Sequence, residues 1–139
     1  MTDHTTLRRS DCPISYALDI FGDRWTLLVL RDLFLKGKRH FSDLLRSDEG
    51  IASNILTERL KRLERFGLIR REPDPADGRK SVYRATERGI SLVPVLVEIA
   101  VWGLVDGELD SGPPGFVERY RTDRAGIIAE FEAGLRSAD

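Results

Sequence analysis

Between Ile90 and Val105 the chain carries Ile90, Leu92, Val93, Val95, Leu96, Val97, Ile99, Ala100, Val101, Trp102, Leu104 and Val105. At 100° per residue these side chains cover nearly every face of a helix. Such a helix demands burial on all sides, and a chain of 139 residues has little interior to offer. Burial against a second copy resolves the conflict. A homodimer is therefore expected, with Leu92, Leu96, Val97, Ile99 and Trp102 at its interface. No uninterrupted run of about 18 apolar residues occurs, so neither a membrane span nor a membrane partner is expected. The hydrophobic fraction of 41% and charged fraction of 32% are those of an ordinary globular chain, which excludes a mostly disordered one. The opening MTDHTTLRRSDCP lacks the apolar stretch of a secretory signal, and one cysteine forbids an internal disulfide. A reducing cytoplasm is the expected compartment.

A formal net charge of −1 argues against a polyanion partner only until it is resolved along the chain. From Lys36 to Arg88 there are 14 basic and 9 acidic residues, a surplus of +5. The two flanks together carry −6. The middle of the chain can face nucleic acid while its ends cannot.

The order of elements says which middle this is. Pro13 suits a first helical position, and Ile14, Ala17, Leu18 and Phe21 recur at helical spacing up to Gly22. Asp23 is placed to cap a second helix over 24–36, which turns Trp25, Leu28, Val29, Leu33 and Phe34 inward and stops at Gly37. An extended link, 38–41, leads to a small helix over 43–46 capped by Ser42, then to a polar turn. The helix expected over 52–66 divides cleanly. Ala52, Leu56, Leu60 and Leu63 form a core stripe, while Asn54, Thr57, Glu58, Lys61 and Arg65 share the opposite face. Strands over 68–72 and 80–85 flank a turn containing Asp77-Gly78. Thr86 caps one long helix over 87–105, a Gly/Pro-rich break follows, and a last helix over 116–135 aligns Phe116, Tyr120, Ile127, Phe131 and Leu135. The expected fold is mainly α with a small β-hairpin: a winged helix-turn-helix with added terminal dimerisation helices. It divides into a flexible arm (1–10), a DNA-binding domain (11–86) and dimerisation helices (87–139).

In that architecture the helix after the tight turn enters the major groove of double-stranded DNA. Asn54 has the amide to pair bidentately with adenine, Thr57 a methyl for thymine or a hydroxyl for phosphate, and Lys61 a cation for guanine or phosphate. Ser53 is expected to cap the helix or hold a phosphate, and Arg65 to touch backbone only. Glu58 either accepts from cytosine or pairs with Lys61. Arg79 and Lys80, at the hairpin tip, supply the cations a wing offers the neighbouring minor groove.

These residues also carry a resemblance. Cys12-Pro13, Gly22-Asp23-Arg24-Trp25, Phe41, Gly50-Ile51, the run Leu56-Thr57-Glu58-Arg59-Leu60-Lys61-Arg62-Leu63-Glu64 and Gly67-Leu68-Ile69 resemble the HxlR family of winged helix-turn-helix regulators. So do Tyr83, Thr86-Glu87-Arg88-Gly89, Leu92, Pro94 and Trp102-Gly103, so that the likeness spans about 11–103. It implies a homodimeric transcriptional regulator, read here as a repressor, on a pseudo-palindromic operator. The sequence departs from the family where Ala52 replaces a capping serine, Asn54 a basic residue and Ala85 a leucine, and where the chain continues beyond Gly115.

Several members of that family sense oxidants or electrophiles through an N-terminal cysteine, and Cys12 occupies the matching place. A thiol at a helix N-terminus gains thiolate character from the dipole, with Arg8 and Arg9 adding to it and Asp11 opposing it. A buried, inert cysteine is the plain alternative. An enzyme is not expected. His4 and His40 have no catalytic partner, no Cys/His spacing suits a metal, no glycine spacing cradles a phosphate, and no cofactor is implied. Two further readings remain: a winged-helix interaction module without DNA binding, and a regulator whose small-molecule effector lies between the apolar helices near Trp102, Trp25 and Phe21.

Overall fold

The computed structural model describes residues 9–137. Most of the expected arm, including His4 and Arg8, lies outside the described residues. Helix α1 is Pro13–Phe21, ending at Gly22. Helix α2, Thr26–Leu30, runs on into a π-helical turn, Arg31–Leu35, in which the Lys36 amide donates to the Arg31 carbonyl (3.0 Å). Periodicity gives no sign of that wider turn. It carries Asp32 into the core at 2% exposure, where Arg31 (2.9 Å) and Lys38 (3.7 Å) neutralise it.

Helix α3 is Phe41–Leu45 and α4 is Ser53–Arg65. Two capping expectations fail here. The small helix starts at Phe41 on the His40 backbone, not behind Ser42, and α4 starts from Ala52 with no side-chain cap, so Ser53 is its first residue. The exit of α4 follows the expected chemistry. Gly67, at φ +73°, donates to Glu64 (2.9 Å), and Leu68 donates to Leu63 (3.0 Å), closing a Schellman turn over two fully buried leucines.

Strands β1, Ile69–Pro73, and β2, Ser81–Ala85, pair antiparallel with Arg71 opposite Tyr83. The Tyr83 amide also donates to the Arg39 carbonyl (2.9 Å), drawing the link alongside the hairpin. Thr86 then ties three elements together. Its amide donates to Leu68 (3.1 Å), its hydroxyl donates to Gly67 (2.6 Å), and the same hydroxyl accepts from the Gly89 amide (3.1 Å). Gly89 is required by this crowding, because a Cβ there would lie 2.0 Å from the Leu68 carbonyl oxygen.

The long apolar helix expected over 87–105 is in fact two: α5, Glu87–Ile90, and α6, Val93–Asp106, with Pro94 in the first turn of the second. A proline inside one continuous helix would remove a hydrogen bond and clash, so the chain restarts there. Taken together, Glu87–Asp106 is long and apolar enough to cross a membrane by length and hydropathy alone. Here it instead places Val93, Leu96, Val97 and Val101 in the core. Leu96 and Val97, expected between protomers, are therefore interior residues of one protomer, and Leu92 is half-buried against the same core. Ile99 and Trp102 remain exposed.

Helix α7, Phe116–Ser137, is interrupted at Asp123 (φ −150°, ψ 59°), whose carboxylate accepts from the Gly126 amide (3.1 Å) and so caps the second half. Ile127 is buried, and Phe116, Tyr120, Phe131 and Leu135 pack on the core as their spacing predicts. The result is a mainly helical winged helix-turn-helix with a two-stranded wing.

Candidate nucleic-acid interface

A concavity of about 750 Å³ lies between α4 and the hairpin. Thr57 and Lys61 line it from the helix, and Arg71, Arg79, Lys80 and Ser81 from the strands and tip; His40 and Ser42 form its floor. Lys61 and Arg65 are exposed and have no hydrogen-bond or ion-pair partner among the described residues, and Asn54 is exposed as well. Ser53, Asn54 and Arg65 fall outside the concavity. The expected reading surface is thus divided: Thr57, Lys61, Arg79 and Lys80 converge, while Asn54 stands at the helix's first turn.

Local bonds refine individual roles. The Thr57 hydroxyl donates to the Ser53 carbonyl (2.9 Å), which engages its proton and leaves the methyl outward. Glu58 does not pair with Lys61; its exposed carboxylate accepts from Arg59. Arg79, 90% exposed, is folded back on Asp77 (3.1 Å), and the guanidinium with its own amide holds that carboxyl below the usual carboxylate range. The wing tip therefore presents a compensated Arg79 beside Lys80, a weaker cation than the sequence alone implies. The Ala76 amide and the His40 ring (2.9 Å) likewise lower Asp74, so His40 fastens the link to the hairpin.

Sequence reasoning saw Asp23 only as a cap and missed its second task. Its carboxylate accepts from the Trp25 (3.0 Å) and Thr26 (3.1 Å) amides, as a cap should, and also from Arg59 Nε (2.8 Å) and Arg62 Nη1 (3.5 Å) of α4. Arg62 reaches on to the Asp19 carbonyl (2.6 Å). Burial opposes the charge on Asp23, but the bonds from Thr26, Arg59 and Trp25 outweigh it and hold the carboxyl far below its ordinary value. One carboxylate thereby joins the start of α2 to α4, and two of the helix's cations are engaged internally. The signal was present: Arg59 and Arg62 lie one turn apart, on the flank between the core stripe and the polar face.

Cys12 is exposed immediately before α1, excluding the buried alternative. No group of three or more metal-ligating side chains occurs among the described residues. Trp25 borders a void of only about 10 Å³ with Leu28, Leu44 and Ile51, too small for an effector, while Trp102 is 69% exposed and Phe21 packs on the core.

A family model described as HxlR-like helix-turn-helix matches residues 20–109. Among curated relatives, an HTH-type transcriptional regulator of Synechocystis is 40% identical over 86 residues, 62% of this chain and 63% of its own. The chain spans about 63% of the length of the first curated relatives it matches. The crystal structure of PA1607 superposes with TM-score 0.65 at 33% identity, over 78% of this chain and 72% of that one. The redox regulator HypR in its reduced form does so with TM-score 0.57 at 29% identity, over 66% and 90% respectively. The chain belongs to the HxlR-like helix-turn-helix family.

Proposed function

We propose that the protein is a sequence-specific double-stranded DNA-binding transcriptional regulator, a repressor acting as a homodimer on a pseudo-palindromic operator in the cytoplasm. The observation that carries this reading is the concavity in which Thr57 and Lys61 of α4 face Arg71 and Lys80 of the hairpin. A helix with an outward methyl, an open amide and unpaired cations suits major-groove edges and phosphates. Lys80 and the compensated Arg79 extend the contact along the backbone.

Dimerisation is supported by apolar surface that one protomer leaves open. Ile14 (71% exposed) and Leu18 of α1, and Val95, Ile99, Trp102 and Val105 of α6, are exposed. Two recognition helices then meet half-sites about 34 Å apart. In fluorescence anisotropy, duplex DNA flanking the protein's own gene should bind with an affinity that falls steeply with salt, by a log–log slope of about −0.9 per phosphate neutralised. Absence of salt-dependent binding to that DNA overturns the reading and favours an interaction module, whose partner affinity Asn54→Asp, Lys61→Glu and Arg79→Glu would leave intact.

Regulation through Cys12 is supported by its exposure at the start of α1, the helix that also carries Ile14 and Leu18. Oxidation there would alter the same surface on which the dimer is proposed to form. A Cys12→Ser protein should keep operator binding under mild oxidant while the parent loses it. Equal loss in both removes the sensor.

A further inference from the structure

Beyond residue 109, where the family match ends, the chain adds a loop and α7. This addition borders a half-open cavity of about 590 Å³ against the π-helical turn and α6. Leu35, Ile99 and Leu104 form one side, and Leu109, Phe116 and Phe131 close the other. The volume falls within the roughly 300–1,000 Å³ of small-molecule sites, and its apolar walls with two phenyl rings match an aromatic skeleton. Four charged side chains stand at its rim. Arg31 and Glu49 pair with each other (3.8 Å), and Lys36 and Asp48 add one charge of each sign, so the four sum to zero. No net field favours an ion, and burying an unpaired charge against these walls is costly. Ser111 offers a hydroxyl to a neutral polar group.

We propose that this cavity is an effector site for an uncharged aromatic molecule bearing at most a hydroxyl or carbonyl substituent. Its influence would reach the DNA-binding face through α7. Phe131 also borders a second cleft, with Tyr83, Arg84 and Ala85 of the wing, and Arg136 donates to Glu87 (2.9 Å) just after β2. That consequence alone rests on the DNA-binding reading; occupancy does not.

Gly103 lines the cavity within α6, and a Cβ added there would meet no atom within 4 Å. Gly103→Leu should fill the space without strain and gain helix propensity. The test is titration of the full chain with 2-naphthol, followed by methyl NMR. Saturable binding is expected, with shifts centred on Leu35, Ile99, Leu104 and Leu109. Gly103→Leu should weaken it at least about tenfold and Gly103→Ala less than about threefold. Naphthalene-2-carboxylate and 2-naphthylammonium should both bind more weakly. Shifts centred elsewhere, undiminished binding by Gly103→Leu, or tighter binding of either ion overturns the proposal. So does binding seen only in a monomeric Trp102→Asp variant, which would mean that a second copy covers the cavity. Repeating the titration on a protein–DNA complex tests the coupling. Binding of 2-naphthol with no change in DNA affinity removes the route through α7, whereas failure of DNA binding itself leaves the occupancy result standing.

Discussion

Asp23 concentrates more of the fold's specificity than any other polar side chain of the reading head. Five donors, from the start of α2 and from α4, converge on it, so removing its charge weakens every one of these bonds. Asp23→Asn should cost about 1–3 kcal/mol in chemical denaturation. Because the folded carboxyl is held below its unfolded value, the stabilisation is complete above about pH 4 and declines as the pH falls further. The gap between parent and Asp23→Asn should therefore narrow in acid, and a gap constant from pH 7 to 3 would refute the charge-based account. On the DNA side, Lys61→Gln should weaken all sequences alike and lower the salt slope by about 1, whereas Asn54→Ala should relax selectivity at one base pair. A selectivity change from Lys61→Gln would reassign it to base reading.

At the scale of elements, α4 was legible because its signals agree: a four-residue leucine spacing, a polar opposite face and a glycine where the left-handed turn falls. The hairpin was legible for the same reason. Three features were not. The π turn after Leu30 leaves no periodic trace, and the pairing of buried Asp32 with Arg31 and Lys38 that accompanies it forms only after folding. The break before Val93 was overridden by an apolar pattern that runs straight through Pro94. The inward turn of Leu96 and Val97 could not be read because the helix is apolar on both faces, and only the position of α7 decides which face is inside. That assignment has a sharp consequence. Val97→Asp should unfold the protein, as a buried unpaired charge would, whereas Trp102→Asp should leave the melting temperature of the protomer nearly unchanged and yield monomers in sedimentation. A folded Val97→Asp protein would move the core boundary, and a dimeric Trp102→Asp protein would move the interface.

For the whole molecule, near-neutral net charge conceals a cationic reading head between acidic flanks, and the structure sharpens that division by engaging Arg59 and Arg62 internally. Fewer cations are available to a polyanion than the surplus of +5 implies. The bond network through Asp23 also limits how the molecule can respond to a signal. With α2 and α4 locked together and Thr86 fastening the hairpin to the exit of α4, helix and wing form one stiff block that cannot tilt internally without breaking several bonds at once. In the proposed dimer, a stimulus that silences the protein must therefore move one protomer's block relative to its partner's, as a caliper opens, and operators with altered spacing between half-sites should regain affinity in the silenced state.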